Sequence, residues 1–93
     1  MNLSSVLDIP NHVVAREVMG EMVLLDLGSG AYFGLDPIGA RIWELASEGK
    51  SLGAIADVVL DEYDVTREDV EADILRLVGE LCEKDLARLD AAT

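Results

Sequence analysis

Val23-Leu24-Leu25-Asp26-Leu27-Gly28-Ser29-Gly30-Ala31-Tyr32-Phe33-Gly34-Leu35-Asp36-Pro37 is the stretch whose reading decides the fold. Up to Leu35 it alternates. Val23, Leu25 and Leu27 share one face of an extended chain, and Met22, Leu24 and Asp26 share the other. Gly28-Ser29-Gly30 reads as a hairpin loop, because glycine reaches positive φ without steric cost. Residues 31–35 follow as a strand, with Tyr32 and Phe33 as aromatic strand formers. At Asp36 the spacing turns helical. Asp36 is a helix N-cap and Pro37 fits the first helical position.

Working back from this stretch, Val13, Val14 and Val18 mark an earlier strand, and Met19-Gly20-Glu21 a tight turn. The three strands make an antiparallel meander. Residues 1–12 lack periodicity and contain Pro10, so they read as a tail or lead-in. Working forward, Ile38, Ile42, Trp43, Leu45 and Ala46 fit a first helix closed by Gly49. Trp43 is expected in its core face. Ser51 caps a second helix with Leu52, Ile55, Ala56, Val59 and Leu60 inward, and Thr66 caps a third that runs to about Lys84. On the third, Val70, Ile74, Leu77, Val78 and Leu81 fill an arc of about 100°, which Leu75 and Cys82 widen to ~160°. Such a width means either a sandwiched helix or a flank that lines a groove. Leu86 to Leu89 is a short trailing segment, and 90–93 a C-terminal tail.

The chain of 93 residues is long enough for one domain and one core. It carries 19 Asp and Glu against 7 Lys and Arg, a net charge of −12. That charge excludes a sequence-independent grip on nucleic acid and argues against anionic membrane. The longest charge-free stretch, 27–35, holds three glycines and is too short to span a bilayer. With no signal-like N-terminus, a cytoplasmic location is expected. One histidine, His12, and one cysteine, Cys82, leave no catalytic set, no disulfide and no metal site, and no cofactor is expected. Cys82 reads as an inert thiol on the apolar edge of the third helix. Gly28, Gly30 and Gly34 fail the spacing of a phosphate loop. The eight acids between Asp57 and Asp73 lack the spacing of a calcium loop and read as a solvated face.

Three non-catalytic classes fit a small acidic chain. A carrier protein is argued against by Lys50 before the Ser51-Leu52 pair and by the strands at the start. A winged-helix DNA-binding protein is argued against by the third helix. Glu68, Asp69, Glu71, Asp73, Glu80 and Glu83 there outnumber Arg67, Arg76 and Lys84. The third class is a peptide-binding adaptor. The quoted stretch with Ile38-Gly39-Ala40-Arg41-Ile42-Trp43 resembles the PqqD family. So do Glu48-Gly49-Lys50-Ser51-Leu52, Glu62-Tyr63-Asp64-Val65 and Leu81-Cys82-Glu83-Lys84-Asp85-Leu86. The resemblance spans residues 13–89. It departs at Asp36, where the family often has asparagine, and at Asp85, where glycine is usual before the closing leucine.

The resemblance implies an α+β, winged-helix-like fold: a three-stranded antiparallel meander followed by three helices. It implies a recognition element that holds the leader of a ribosomally made precursor peptide and presents it to modifying enzymes. Some relatives serve lasso peptides beside a leader protease and a cyclase, the favoured branch. Others serve pyrroloquinoline quinone synthesis beside a radical SAM enzyme. A mechanism follows from the meander. Its third strand is an edge that neither charge nor proline blunts, so an extended leader can add to it. The expected peptide-binding residues are Ala31, Tyr32, Phe33, Gly34 and Leu35 on that strand, with Val70, Asp73, Ile74 and Leu77 on the third helix. Asp73 is the candidate reader of a basic or polar leader side chain. The competing expectation is that residues 1–12 or the segment around Leu86 already cover the edge.

Overall fold

The computed structural model describes residues 4–90. Its elements run β1 (Val6–Asp8), β2 (Val13–Val18), β3 (Glu21–Asp26), β4 (Tyr32–Leu35), α1 (Pro37–Ser47), α2 (Leu52–Glu62), α3 (Arg67–Glu83) and β5 (Arg88–Asp90). The fold is α+β. β2, β3 and β4 form the antiparallel meander, in that order across the sheet, and the three helices follow.

Two tight connections set the sheet's register. Met19 and Gly20 both take positive φ, 53° and 84°, as a two-residue type I′ turn requires. The turn pairs Val18 with Glu21. The β3–β4 loop is organised by Asp26. Its Oδ1 accepts the N–H of Gly28 at 2.8 Å and of Ser29 at 3.3 Å. Its backbone closes the loop, its N–H donating to Ala31 O and its C=O accepting from Gly30, each at 2.8 Å. This explains a charged residue only 8% exposed on the helix-facing side of the sheet, beside Leu24. The Gly28 hydrogen bond, aided by Ser29 and the His12 imidazole, holds the Asp26 carboxyl below its ordinary pKa against the opposing effect of burial.

The helix starts are those the sequence marks. Asp36, Ser51 and Thr66 accept the N–H groups of Gly39, Ala54 and Asp69. Both α1 and α3 end in Schellman turns: Lys50 N–H donates to Leu45 O and Gly49 N–H to Ala46 O, while Leu86 N–H donates to Leu81 O and Asp85 N–H to Cys82 O. Between sheet and helices, Leu24, Ile42, Trp43, Leu45, Leu52, Ile55, Val59, Val70, Ile74, Val78 and Leu81 form a continuous core. Burying each of the larger side chains contributes about 1.5–3 kcal/mol. Arg41 on α1 joins α2 through two hydrogen bonds to Glu62, at 2.7 and 2.8 Å.

The chain's two ends differ from the sequence reading. Within the stretch read as a lead-in, Val6–Asp8 is a strand, and the trailing segment continues into β5. The two pair with each other, Leu7 opposite Leu89. Three-residue strands carry too little alternation to announce themselves. They are fixed by burial: Leu7, Leu86 and Ala87 are all in the core. Of the tail expected over 90–93, residues 91–93 lie outside the described residues.

Candidate functional site

β4 pairs with β3 on one side only, and among the described residues its other edge has no strand partner. Of the segments that were candidates for covering it, residues 1–3 lie outside the described residues, and β1 pairs with β5 instead, with Val6 bridged to Ser51 at the start of α2. Register decides which groups this edge presents. Asp26 and Ala31 are opposite and hydrogen-bonded. The antiparallel pattern alternates from there. Phe33 and Leu35, opposite Leu24 and Met22, direct their amides and carbonyls into the sheet. Tyr32 and Gly34, opposite Leu25 and Val23, direct theirs outward.

Next to this edge lies a groove of about 280 Å³. β4 contributes Phe33, Gly34 and Leu35, the start of α1 contributes Asp36, Ile38, Gly39 and Ile42, and α3 contributes Asp73, Arg76, Leu77 and Glu80. The floor is apolar and the helical wall is charged. Gly39 holds the corner: an added Cβ would stand 2.9 Å from Asp36 Oδ1, so a side chain there would disrupt the cap that starts α1. On the wall, Arg76 pairs with Asp73 at 3.4 Å. Near the end of the helix the Lys84 ammonium lies 5.9 Å from the centre of the Phe33 ring.

The expected site residues divide by position. Phe33, Gly34, Leu35, Asp73 and Leu77 come together around the groove. Tyr32 belongs to the same edge, but its side chain is 77% exposed and lies outside the groove lining. Ala31 precedes β4 and is exposed. Val70 and Ile74 are each 1% exposed in the core and line no part of the groove. Apolar character placed them on a groove wall, yet the most apolar stripe of an amphipathic helix goes to the core. The groove wall lies beside that stripe, at Asp73, Leu77 and Glu80 in i, i+4, i+7 spacing. The widening of the apolar arc falls on the far flank, where Leu75 is half exposed. The sequence reading missed Asp36, Ile38, Gly39, Ile42, Arg76 and Glu80 as lining residues. The i, i+4, i+7 row through Asp73 was the available signal for Glu80; nothing in the sequence alone brings α1 to this groove.

No three or more His, Cys, Asp or Glu side chains among the described residues are grouped to hold a metal ion. No helix among them is long and apolar enough to cross a membrane.

Comparison with known proteins gives a consistent set of likenesses. Residues 21–87 match the family model described as coenzyme PQQ synthesis protein D (PqqD). Among solved structures, one described as TbiB1 in complex with the TbiA(beta) leader peptide superposes with a TM-score of 0.80 at 41% identity, covering 92% of this chain and 99% of that one. A second, lasso peptide synthetase B1 complexed with the leader peptide, gives a TM-score of 0.80 at 33% identity, covering 88% and 96%. Among curated proteins none matches.

Proposed function

This chain belongs to the PqqD family, and from that membership we propose that it is a non-catalytic adaptor of precursor-peptide modification. It binds the leader of a ribosomally made peptide as a strand added to β4 and presents the remainder to modifying enzymes. The observation that carries this reading is the open β4 edge standing beside a groove with an apolar floor. The outward amides and carbonyls of Tyr32 and Gly34 supply backbone hydrogen bonds, and the groove supplies side-chain selectivity. The lasso-peptide branch is favoured, because both similar structures are bound to leader peptides and one of them is a lasso peptide synthetase B1. Its partners are then a leader protease and a cyclase, and its compartment the cytoplasm. The family model's own description keeps the second reading, a chaperone of pyrroloquinoline quinone synthesis beside a radical SAM enzyme. Neighbouring genes distinguish the two: a protease and an asparagine-synthetase-like cyclase for the first, a radical SAM enzyme for the second.

Phe33, Gly34, Leu35, Asp73 and Leu77 form the peptide-binding set in this reading, joined by Ile38 and Ile42. Asp73, on the rim, reads a basic or polar leader side chain. Asp73→Lys is expected to weaken binding several-fold without unfolding the domain, since a half-exposed ion pair contributes about 0–1 kcal/mol to stability. The measurement is fluorescence anisotropy of a labelled leader, with circular dichroism as the folding control. A folded Asp73→Lys variant that binds as tightly as wild type removes Asp73 from the site.

A further inference from the structure

Beside Phe33, which lines the groove, stands a cation that no acid among the described residues pairs with. Acidic residues outnumber basic ones 19 to 7. Arg41, Lys50, Arg67 and Arg76 are each in an ion pair with a carboxylate. Lys84 forms no ion pair among the described residues, although Glu80, Glu83 and Asp85 lie within four positions of it. It reaches across to β4 instead, to the Phe33 ring. At 100° per residue Lys84 shares a stripe of roughly 60° with Asp73, Leu77 and Glu80, the stripe that walls the groove.

The strand register says what would meet this charge. A peptide strand hydrogen-bonded to Tyr32 and Gly34 places one residue directly opposite Phe33, in the non-hydrogen-bonded pair. Side chains in such a pair point to the same face, with Cβ atoms about 4.5–5.5 Å apart. The peptide side chain opposite Phe33 therefore enters the groove beside the Lys84 ammonium. We propose that Lys84 is a specificity-determining residue that pairs with an acidic side chain of the leader at the position opposite Phe33. The proposal rests on the strand-addition reading and adds the chemistry selected at one position. The ring keeps the ammonium at the strand without neutralising it, so a carboxylate arriving there gains an ion pair close to apolar surface, while an arginine or lysine is repelled.

The test is a double-mutant cycle in fluorescence anisotropy. The labelled probes are the synthetic TbiA(beta) leader and the leader of the precursor peptide encoded nearest this chain's gene. Each Asp and Glu of the peptides is replaced in turn by Asn or Gln, and every peptide is titrated against wild type, Lys84→Gln and Lys84→Arg. Lys84→Gln is expected to weaken binding roughly tenfold, the equivalent of 1.4 kcal/mol, and Lys84→Arg to stay near wild type. One acidic peptide position should cost wild type the same factor and cost Lys84→Gln nothing. A role for Lys84 confined to the negative end of the α3 dipole would lower thermal stability and show no such coupling. The proposal is overturned if Lys84→Gln binds like wild type, or if the losses simply add at every acidic position. Failure of wild type to bind either leader overturns the adaptor reading itself, and this proposal with it.

Discussion

At the residue scale, Asp85, like Met19, is a non-glycine residue held at positive φ. It sits one position past the C-cap of α3 with φ 57°, in the left-handed region. Its N–H and that of Leu86 close the Schellman turn. The family's usual glycine at this place therefore has a mechanical reason, and Asp85 keeps the same backbone at a cost. Asp85→Gly is expected to stabilise the domain by about 0.5–1 kcal/mol, raising the thermal midpoint by several degrees. An unchanged or lowered midpoint would mean that the aspartate side chain returns the cost. Trp43 presents the opposite case. It is 5% exposed within the core cluster, as its helical spacing with Ala40 anticipates. Trp43→Ala should cost roughly 3–5 kcal/mol, a large share of what a domain of this size has. Equilibrium denaturation measures it; a loss below 1 kcal/mol would contradict the burial.

At the element scale, β4 joins the fold to the proposed function, and a proline scan separates its two sets of amides. Tyr32→Pro or Gly34→Pro removes an outward donor and leaves the ladder to β3 intact. Phe33→Pro removes a donor that faces β3 and should disrupt the hairpin. Folded Tyr32 and Gly34 variants are expected to lose leader binding about tenfold or more, through one hydrogen bond and the added bulk of the ring. Binding at wild-type strength by both folded variants would place the peptide elsewhere. Much of this was legible in the sequence. Alternation, the glycine loop and the capping residues Asp36, Ser51 and Thr66 act locally, so the meander and the helix starts could be read from neighbours in the chain. The groove wall could not. Choosing Val70 and Ile74 over Arg76 and Glu80 follows from reading hydrophobicity as a binding signal, when the rotation of α3 against the core is fixed by tertiary packing. The β1–β5 pair was hidden for the same reason, because its partners lie at opposite ends of the chain.

At the scale of the whole molecule, a net charge of −12 on 93 residues sets self-repulsion against a few carboxylates that the fold stabilises. Glu62, hydrogen-bonded by Arg41, and Asp26, hydrogen-bonded by Gly28, both hold pKa values below their ordinary range in the folded chain. Such groups contribute stability that is present above the ordinary carboxyl range, near pH 4, and is lost as pH falls through their depressed folded values. These two groups predict a thermal midpoint that falls as pH drops below about 4. Added salt should raise the midpoint at neutral pH, because screening weakens the self-repulsion of the net charge. Asp26, at the end of β3, holds the loop that delivers β4, so the acid limb should also be where leader binding is lost. Thermal unfolding followed by circular dichroism between about pH 3 and 8, at low and high salt, measures the first two effects, and anisotropy with a labelled leader over the same range measures the third. A midpoint that climbs steadily down to pH 3 would show that the Arg41–Glu62 clamp and the Asp26 loop contribute nothing to stability.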